Sequence, residues 1–481
     1  MKNFLFYLFG IFTFHLINLN AQVTQEWVAR YNGTGGAYSI AVDALGYVYV
    51  TGGSDDSYVT IKYNFAGAEQ WVAIYNGPEN EDDAESIAVD DLGNVYVSGS
   101  SSGLGSGSDY ATVKYNSSGI QQWVARYNGP NNTKDEVRSM VIDESGNIYV
   151  TGHSAGIGTG SDFATVKYNS SGIQQWVARY NGPGNASDVT SSIKTDISGN
   201  VYITGSSIGS GAGFEFASIK YNSNGVQQWV ARYNGSGNGW SQASSLVMDV
   251  SGNIYVTGYS FGSGSAEDYA TIKYNSFGAE LWVARYNGTG NSYDYAKSIA
   301  IDNAGDIYVT GSSVGRGSGS DYATIKYNSL GVEQWVQRYN GSGDSTDEAR
   351  SLALDGSGNV YVTGSSVGSG TGSDYATIKY SQSVGINQIS STVPEQFNLL
   401  QNYPNPFNPT TNIEFSLLEK SFVILKVFDI TGKEVADLVN ENLSAGTFRY
   451  EFNAGNLASG LYFYKLVSSK FSETKKMIIL K

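Results

Sequence analysis

Short apolar runs alternate with Gly-, Asn- and Ser-rich punctuation along most of this chain, and four kinds of run recur in a fixed order: S-I-A-V-D, V-Y-V-T-G, D-Y-A-T-I-K-Y and Q-Q-W-V-A-R-Y. Each is of strand length and rich in Val, Ile, Thr, Tyr and Trp, residues whose shapes suit a pleated surface. Apolar residues fall on both faces of most runs, so each predicted strand is to be covered on two sides. Turns such as Glu144-Ser145-Gly146-Asn147, between the first and second runs, and Asn116-Ser117-Ser118-Gly119, between the third and fourth, supply the positive-φ residues that tight hairpins need.

Tryptophan marks the period. Trp27, Trp71, Trp123, Trp176, Trp229, Trp282 and Trp335 follow one another at steps of 44, 52, 53, 53, 53 and 53 residues, while Trp240 falls out of register. Seven units of four antiparallel strands, each buried on both faces, predict an all-β chain whose residues 22–381 form a seven-bladed β-propeller. An open solenoid is the competing architecture. The series begins with a fourth-type strand at residues 25–31 and ends with a third-type strand at residues 374–380, so the N-terminal strand is expected to complete the last blade.

Charge patterning bears on the register. Pairing across a four-residue turn would set Tyr115 opposite Ile120 and Asp109 opposite Arg126, with the same relation for Asp162 and Arg179, Glu215 and Arg232, Asp268 and Arg285, and Asp321 and Arg338. The first unit has Ser57 and Ile74 instead, which leaves Asp374 for Arg30. Both tight turns lie at one end of each unit, so the longer, more variable loops share the other end, where function tends to reside.

Two segments differ in kind. Lys2 precedes the apolar run FLFYLFGIFTFHLI and then NLNAQ, the layout of a secretory signal peptide at residues 1–21. From Val393 onward prolines cluster, and alternating segments such as TNIEFSL, VILKVFDI, GTFRYEFN and GLYFYKLV predict an Ig-like β-sandwich over residues 394–481, after a linker at 382–393.

The I-A-V-D-x-x-G-N-V-Y-V-T-G spelling resembles NHL-type propeller repeats and, more closely, the SBBP β-propeller repeat family, over residues 24–381. The run Asn402-Tyr403-Pro404-Asn405-Pro406-Phe407-Asn408-Pro409, the Asp429-Ile430-Thr431-Gly432-Lys433 turn, Ser459-Gly460-Leu461-Tyr462 and the terminal KKMIIL resemble a type A sorting domain of the type IX (Por) secretion system. That resemblance implies passage through the periplasm to the outer surface or beyond. The partner it implies is the type IX machinery.

Composition narrows the chemistry. The chain lacks cysteine and has two histidines, His15 and His153, which excludes disulfide staples, thiol nucleophiles and His-based metal triads. Residues 22–393 carry 35 acidic against 19 basic side chains, which disfavours nucleic acid as a partner. After signal cleavage no transmembrane helix is expected, and the mature protein is expected to be a monomer.

Repeated polar residues are read as architecture. Asp43, Asp90, Asp143, Asp196, Asp249, Asp302 and Asp355 each precede a tight turn and are expected to accept its N–H groups. The acids opposite arginine are expected to form ion pairs worth roughly 0–1 kcal/mol each where exposed, and the lysines Lys62, Lys114, Lys167, Lys220, Lys273, Lys326 and Lys379 are expected to be structural. No cofactor is required; oxygen-rich loops such as Gly158 to Asp162 leave calcium as an option, without EF-hand spacing.

What breaks the repeat is aromatic: Trp240, Tyr259, Phe261, Tyr293 and Tyr295, expected in one sector of the long-loop face. Rings beside Asn, Asp and Ser suit a sugar, which offers apolar ring faces and hydroxyls together. No residue pair is singled out for catalysis, so the chain is read as a non-enzymatic exported protein that binds an extracellular glycan or protein. A structural or adhesin coat protein is the alternative, and a polysaccharide-acting propeller enzyme the third reading.

Overall fold

The structure, a computed structural model, describes residues 29–31, 36–211, 213–236, 239–262, 266–355, 358–369, 372–380, 386–390, 392–455 and 457–480. The chain divides into two compact units, residues 1–158 with 164–179, and residues 159–163 with 180–481. Every regular element among the described residues is a β-strand.

In the first unit, residues 36–75 and 82–127 each form a four-stranded antiparallel sheet with strands in chain order, and the third sheet, over residues 135–180, continues the pattern. In the second unit, residues 188–233, 241–286 and 294–339 form three more four-stranded sheets of the same order, and residues 348–380 form a three-stranded one. These sheets match what the four recurring runs predict. Their turns are built as expected: Asp143 Oδ1 accepts from Ser145 N and Asn147 N at 3.0 and 2.9 Å, and Tyr149 Oη donates to Oδ2 at 2.8 Å.

Within each unit, consecutive sheets are stapled by side chains that the repeat supplies at every junction. Between the first and second sheets, Tyr58 Oη donates to Ala111 O at 3.4 Å, Trp71 Nε1 to Ser117 O at 3.1 Å, and Arg126 Nη1 to Tyr75 Oη at 3.1 Å. In the second unit Trp229 and Trp282 play the same part: Trp229 Nε1 reaches Ser276 O at 3.1 Å between the fourth and fifth sheets, and Trp282 Nε1 reaches Ser329 O at 3.2 Å between the fifth and sixth. Trp71, Trp123, Trp229 and Trp282 each lie against a turn glycine of the next sheet; a Cβ on Gly331, which sits at φ +79°, would fall 2.7 Å from the Trp282 ring. The lysine set is structural too, each ammonium lying over a tyrosine, as Lys273 does over Tyr255 at 4.8 Å.

Three expectations change. The register across the third and fourth strands differs by two residues: Ala111, not Asp109, lies opposite Arg126, and Val59, not Ser57, lies opposite Ile74. The turn closes on Asn116 and Ile120, and a bulge follows at Lys114/Tyr115. Arginine is long enough to reach back, so the ion pairs form all the same, Arg126 Nη2 to Asp109 Oδ2 at 3.1 Å and Arg338 Nη2 to Asp321 Oδ2 at 2.9 Å. They are not exposed pairs, since Asp109 and Asp321 are 4% exposed.

The second change concerns the N-terminus. Residues 1–28, which hold the expected signal peptide, Trp27 and most of the expected closing strand, lie outside the described residues; residues 29–31 form no strand, and Ala29 packs beside Val59, Ile61 and Tyr63. The third concerns the expected linker. Within it, residues Ile386–Ser390 form a strand that pairs antiparallel with Gly446–Asn453.

That strand belongs to the C-terminal module, two four-stranded sheets that share one core of Leu399, Ile413, Phe415, Val423, Leu425, Tyr464, Leu466 and Met477 among others. The proline-rich run is part of its framework. Phe407 is buried, donating its N–H to Ile478 O at 3.1 Å and accepting from Leu480 N at 2.9 Å, while Asn405 Oδ1 accepts from Ile478 N at 2.9 Å. Pro404 O accepts from Thr411 Oγ1 at 2.7 Å, and Tyr462 Oη donates to Ala458 O at 3.1 Å. Gly432 takes φ +81° in the turn that Asp429 caps through Thr431 N at 2.8 Å. Pro406, Gly460 and the neighbouring residues lie in the same frame, whereas the Tyr403 ring is 80% exposed.

Candidate functional site

In all seven repeat sheets the first strand carries a bulge at the same place, and the bulged residues are Tyr38, Glu85, Arg138, Ser191, Ser244, Lys297 and Arg350. A bulge leaves its residue out of the ladder and re-aims the side chain. It also explains the glycine of V-Y-V-T-G: a Cβ on Gly311 would fall 2.0 Å from Tyr295 O and one on Gly258 1.9 Å from Gln242 O. The strand facing the bulge therefore has room only for glycine there.

Chemistry around this bulge differs from sheet to sheet while its surroundings stay constant. Two residues before the bulge stand Asp83, Glu136, Val189, Gln242, Tyr295 and Glu348, and across from them stand Ser100, His153, Ser206, Tyr259, Ser312 and Ser365. One residue earlier still, the second, third, fourth, sixth and seventh sheets carry a buried acid with a fixed task, which Ser241 takes in the fifth. Asp294 Oδ2 accepts from Gly288 N at 2.6 Å and its Oδ1 from Val314 N at 3.2 Å, and Asp135, Asp188 and Asp347 cap the equivalent loops. Burial pushes the Asp135, Asp188 and Asp294 carboxyls above the usual range.

The aromatic exceptions fall at these varying positions. In the fifth and sixth sheets Tyr259 meets Tyr295 edge to face, with centroids 4.6 Å apart, and Tyr293 lies near parallel to Tyr295 at 6.1 Å and 14°. Tyr259 donates its hydroxyl hydrogen bond to Gln242 Oε1. Lys297 Nζ stands 6.0 and 5.8 Å from the Tyr259 and Tyr295 centroids. Burial, with the nearby Glu267 carboxylate, pushes the Tyr295 hydroxyl up to about 12.

Trp240 and Phe261 make a second group. Trp240 meets Phe214 edge-on at 5.3 Å, and Phe261 lies over Gly239, where a Cβ would fall 2.3 Å from its ring. Tyr259 and Phe261 are two apart on one strand, Ile254–Phe261, so alternation puts both on one side and links the groups. Trp240 is 63% and Tyr293 52% exposed, apolar rings offered to solvent beside an amide, an ammonium and a carboxylate. Such a surface stacks on the apolar face of a ring and takes up hydroxyls.

Sequence reasoning found the five rings but not Phe214, Gln242, Glu267 or Lys297. Their signal was available: where the second, fourth, sixth and seventh sheets carry serine, the fifth carries Tyr259, and the residue two places before the bulge changes from sheet to sheet.

The first unit fills the same positions with charge. His153 Nε2 lies 2.8 Å from Glu136 Oε2, which also takes Arg138 Nη2 at 3.1 Å and pairs with Lys134. Burial draws the His153 imidazole below its usual range, and its Nδ1 is buried without a partner. A cleft of about 430 Å³ is lined by Tyr38, Asp55, Asp56, Glu81, Asp82 and Asp83. Among the described residues no three His, Cys, Asp or Glu side chains are placed to hold a metal ion.

Comparison with known families agrees with the repeats and the tail. Residues 70–105, 122–158, 175–211, 281–316 and 334–370 match the SBBP beta-propeller repeat, and residues 401–480 match the secretion system C-terminal sorting domain. No curated protein matches the chain. Among solved structures, a protein of Lactobacillus plantarum is 12% identical with a TM-score of 0.43, over 63% of this chain and 84% of its own. A gluconolactonase of Xanthomonas campestris is 12% identical with a TM-score of 0.32, over 58% and 84%. Prolyl oligopeptidase B of Galerina marginata is 8% identical with a TM-score of 0.39, over 90% of this chain and 55% of its own. The sorting tail marks the chain for the type IX system and so for the cell surface or the medium. No described helix is long and apolar enough to cross a membrane.

Proposed function

We propose that this chain, which carries SBBP beta-propeller repeats and a secretion system C-terminal sorting domain, is an exported, non-catalytic seven-bladed β-propeller that binds an extracellular saccharide through the aromatic sector of its fifth and sixth sheets. The observation that carries this reading is the replacement, at bulge-side positions of two adjacent repeats, of small or charged residues by Tyr259, Tyr293 and Tyr295, with Trp240 exposed at the place in its repeat that Tyr293 takes in the next. Architecture has no use for these rings, because the other sheets fold without them. A saccharide fits better than a protein ligand, since the rings are few and lie beside hydrogen-bonding groups.

Ring closure is supported by what the terminal sheets lack. The seventh sheet has three strands among the described residues, and Tyr375 is 97% exposed where Tyr110, Tyr269 and Tyr322 are buried. The first sheet has an apolar cleft of about 270 Å³ lined by Ile40, Val48, Val50, Val59 and Ile61. Residues 27–31 have the W-V-A-R-Y spelling of a fourth-type strand, the type that the seventh sheet lacks among the described residues. In the observed register Arg30 would stand opposite Ala376, so cysteines at both places, in a chain with no others, are expected to crosslink on oxidation.

The function is tested on a glycan array with the full chain and a Trp240→Ala/Tyr259→Ala variant. Saturable binding to a defined saccharide class that the variant loses is the expected result. Binding that the variant retains would remove the aromatic sector from the account.

A further inference from the structure

The bulge position takes a cation in three sheets, as Arg138, Lys297 and Arg350. Two of these cations are neutralised by the residue two places earlier: Arg138 Nη2 lies 3.1 Å from Glu136 Oε2, and Arg350 Nη2 lies 3.1 Å from Glu348 Oε2. In the sixth sheet that place belongs to Tyr295. Lys297 therefore has no acid at that place; among the described residues it forms no ion pair or hydrogen bond, and the carboxylate that acts on it is Glu348 of the next sheet.

What Lys297 has instead is the pair of rings at 6.0 and 5.8 Å, near the outer limit of about 6 Å for a cation over an aromatic face. Lys297 is exposed, although partial desolvation lowers its ammonium below the usual range, and Glu348, the carboxylate that acts on it, is shared with Arg350. Glu348 is held by Arg350, and Glu267, the cross-strand partner of Phe261, has its Oε2 buried. Tyr293, half exposed and near parallel to Tyr295, sets a free ring face in the same group.

We propose that Lys297 makes this site selective for an acidic saccharide, whose sugar ring stacks on Tyr293 while its carboxylate or sulfate ester is taken by the Lys297 ammonium. The inference rests on the saccharide reading of the same site and adds the charge of the ligand. Carboxylate and sulfate share the chemistry that Lys297 recognises, an anionic oxygen accepting a charge-assisted hydrogen bond.

Two matched pairs of oligosaccharides separate these possibilities by titration calorimetry on the full chain: oligogalacturonate against its methyl ester, and a sulfated galactan oligomer against its desulfated form. One acidic member is expected to bind about tenfold more tightly than its neutral partner, the effect of one charge-assisted hydrogen bond. Lys297→Gln is expected to abolish that difference, and Tyr293→Ala to weaken the binding of both members. Thermal unfolding of each variant checks that the fold is retained. Equal binding of acidic and neutral members, or a preference that survives Lys297→Gln, overturns the inference while the saccharide reading stands. Absence of binding to all four oligomers and to every neutral glycan on the array overturns both.

Discussion

At the junctions between repeat sheets a buried acid, an arginine, a serine and a tyrosine meet, whereas the C-terminal module closes over twenty buried hydrophobic residues with Asn402, Thr411 and Ser421 as its buried polar companions. The fifth sheet shows the first arrangement in full. Arg285 bonds Ser260 Oγ at 2.5 Å, Ser260 O at 2.7 Å, Asp268 Oδ2 at 2.9 Å and, in the preceding sheet, Tyr233 Oη at 3.1 Å. The apolar clusters beside such junctions are small, built from Ala, Val, Ile and Tyr. Apolar packing alone fixes neither register nor neighbour among near-identical sheets, because every sheet offers the same face. Directional polar contacts supply that information. The module has no such ambiguity to resolve and is held by its one core.

This contrast makes graded predictions. The largest effect is on location: removal of residues 394–481 is expected to trap the protein in the periplasm of a host with the type IX pathway, while leaving the unfolding transition of the repeat region unchanged. Cell fractionation and denaturation read the two halves of that statement. Next comes Arg285→Ala, which takes the cation from the 4%-exposed Asp268 carboxylate and is expected to cost about 3–5 kcal/mol in urea unfolding. Leu425→Ala in the core of the module is expected to cost about 2–5 kcal/mol, through a cavity and without dependence on pH.

A smaller, signed effect separates the regions by titration. Burial raises the folded-state pKa of Asp294, so the native state binds a proton more tightly than the unfolded chain. The stability this gives is fully present below the unfolded value of about 3.9 and is lost as pH rises through the raised folded value. In the module, hydrogen bonds from Thr431 hold Asp429 below its usual range, so its contribution is present above the unfolded value and is lost on acidification. Unfolding curves of wild type and Asp294→Asn across pH 3 to 7, roughly the range of carboxyl titration, are expected to diverge, with the variant showing the flatter dependence. Last is Asp249→Ala, which removes the bonds to Ser251 N, Asn253 N and Tyr255 Oη and is expected to cost about 1–2 kcal/mol.

Much of the fold could be read from the sequence, because its information is local. Asp249 caps its own turn within four residues, and Trp282 recurs at a fixed step, so both roles follow from spacing. The partnership of Asp268 with Arg285 was also readable, although its register was not: the bulge at Lys273/Tyr274 shifts the ladder, and only the reach of arginine conceals the shift. Contacts between sheets, such as Arg285 to Tyr233, have no local signature. Residues 386–390 were read as linker because a lone strand carries no pattern of its own; its partner is 57 residues away, as Gln388 Nε2 to Ala445 O shows. For the site, Tyr259 and Tyr295 stood out as rings in a repeat of small residues. Lys297 did not, because a single lysine among polar neighbours looks like ordinary surface until the bulge places it beside Tyr295.

The central claim is that junction positions serve the fold and bulge-side positions serve a ligand. It is tested most directly by measuring unfolding free energy and saccharide affinity together for Arg285→Ala and for a Tyr293→Ala/Lys297→Ala variant. The account predicts a loss of several kcal/mol for the first. For the second it predicts stability within about 0.5 kcal/mol of wild type, with saccharide binding abolished. A bulge-side variant that unfolds as readily as the junction variant, or that binds saccharide as the wild type does, would contradict it.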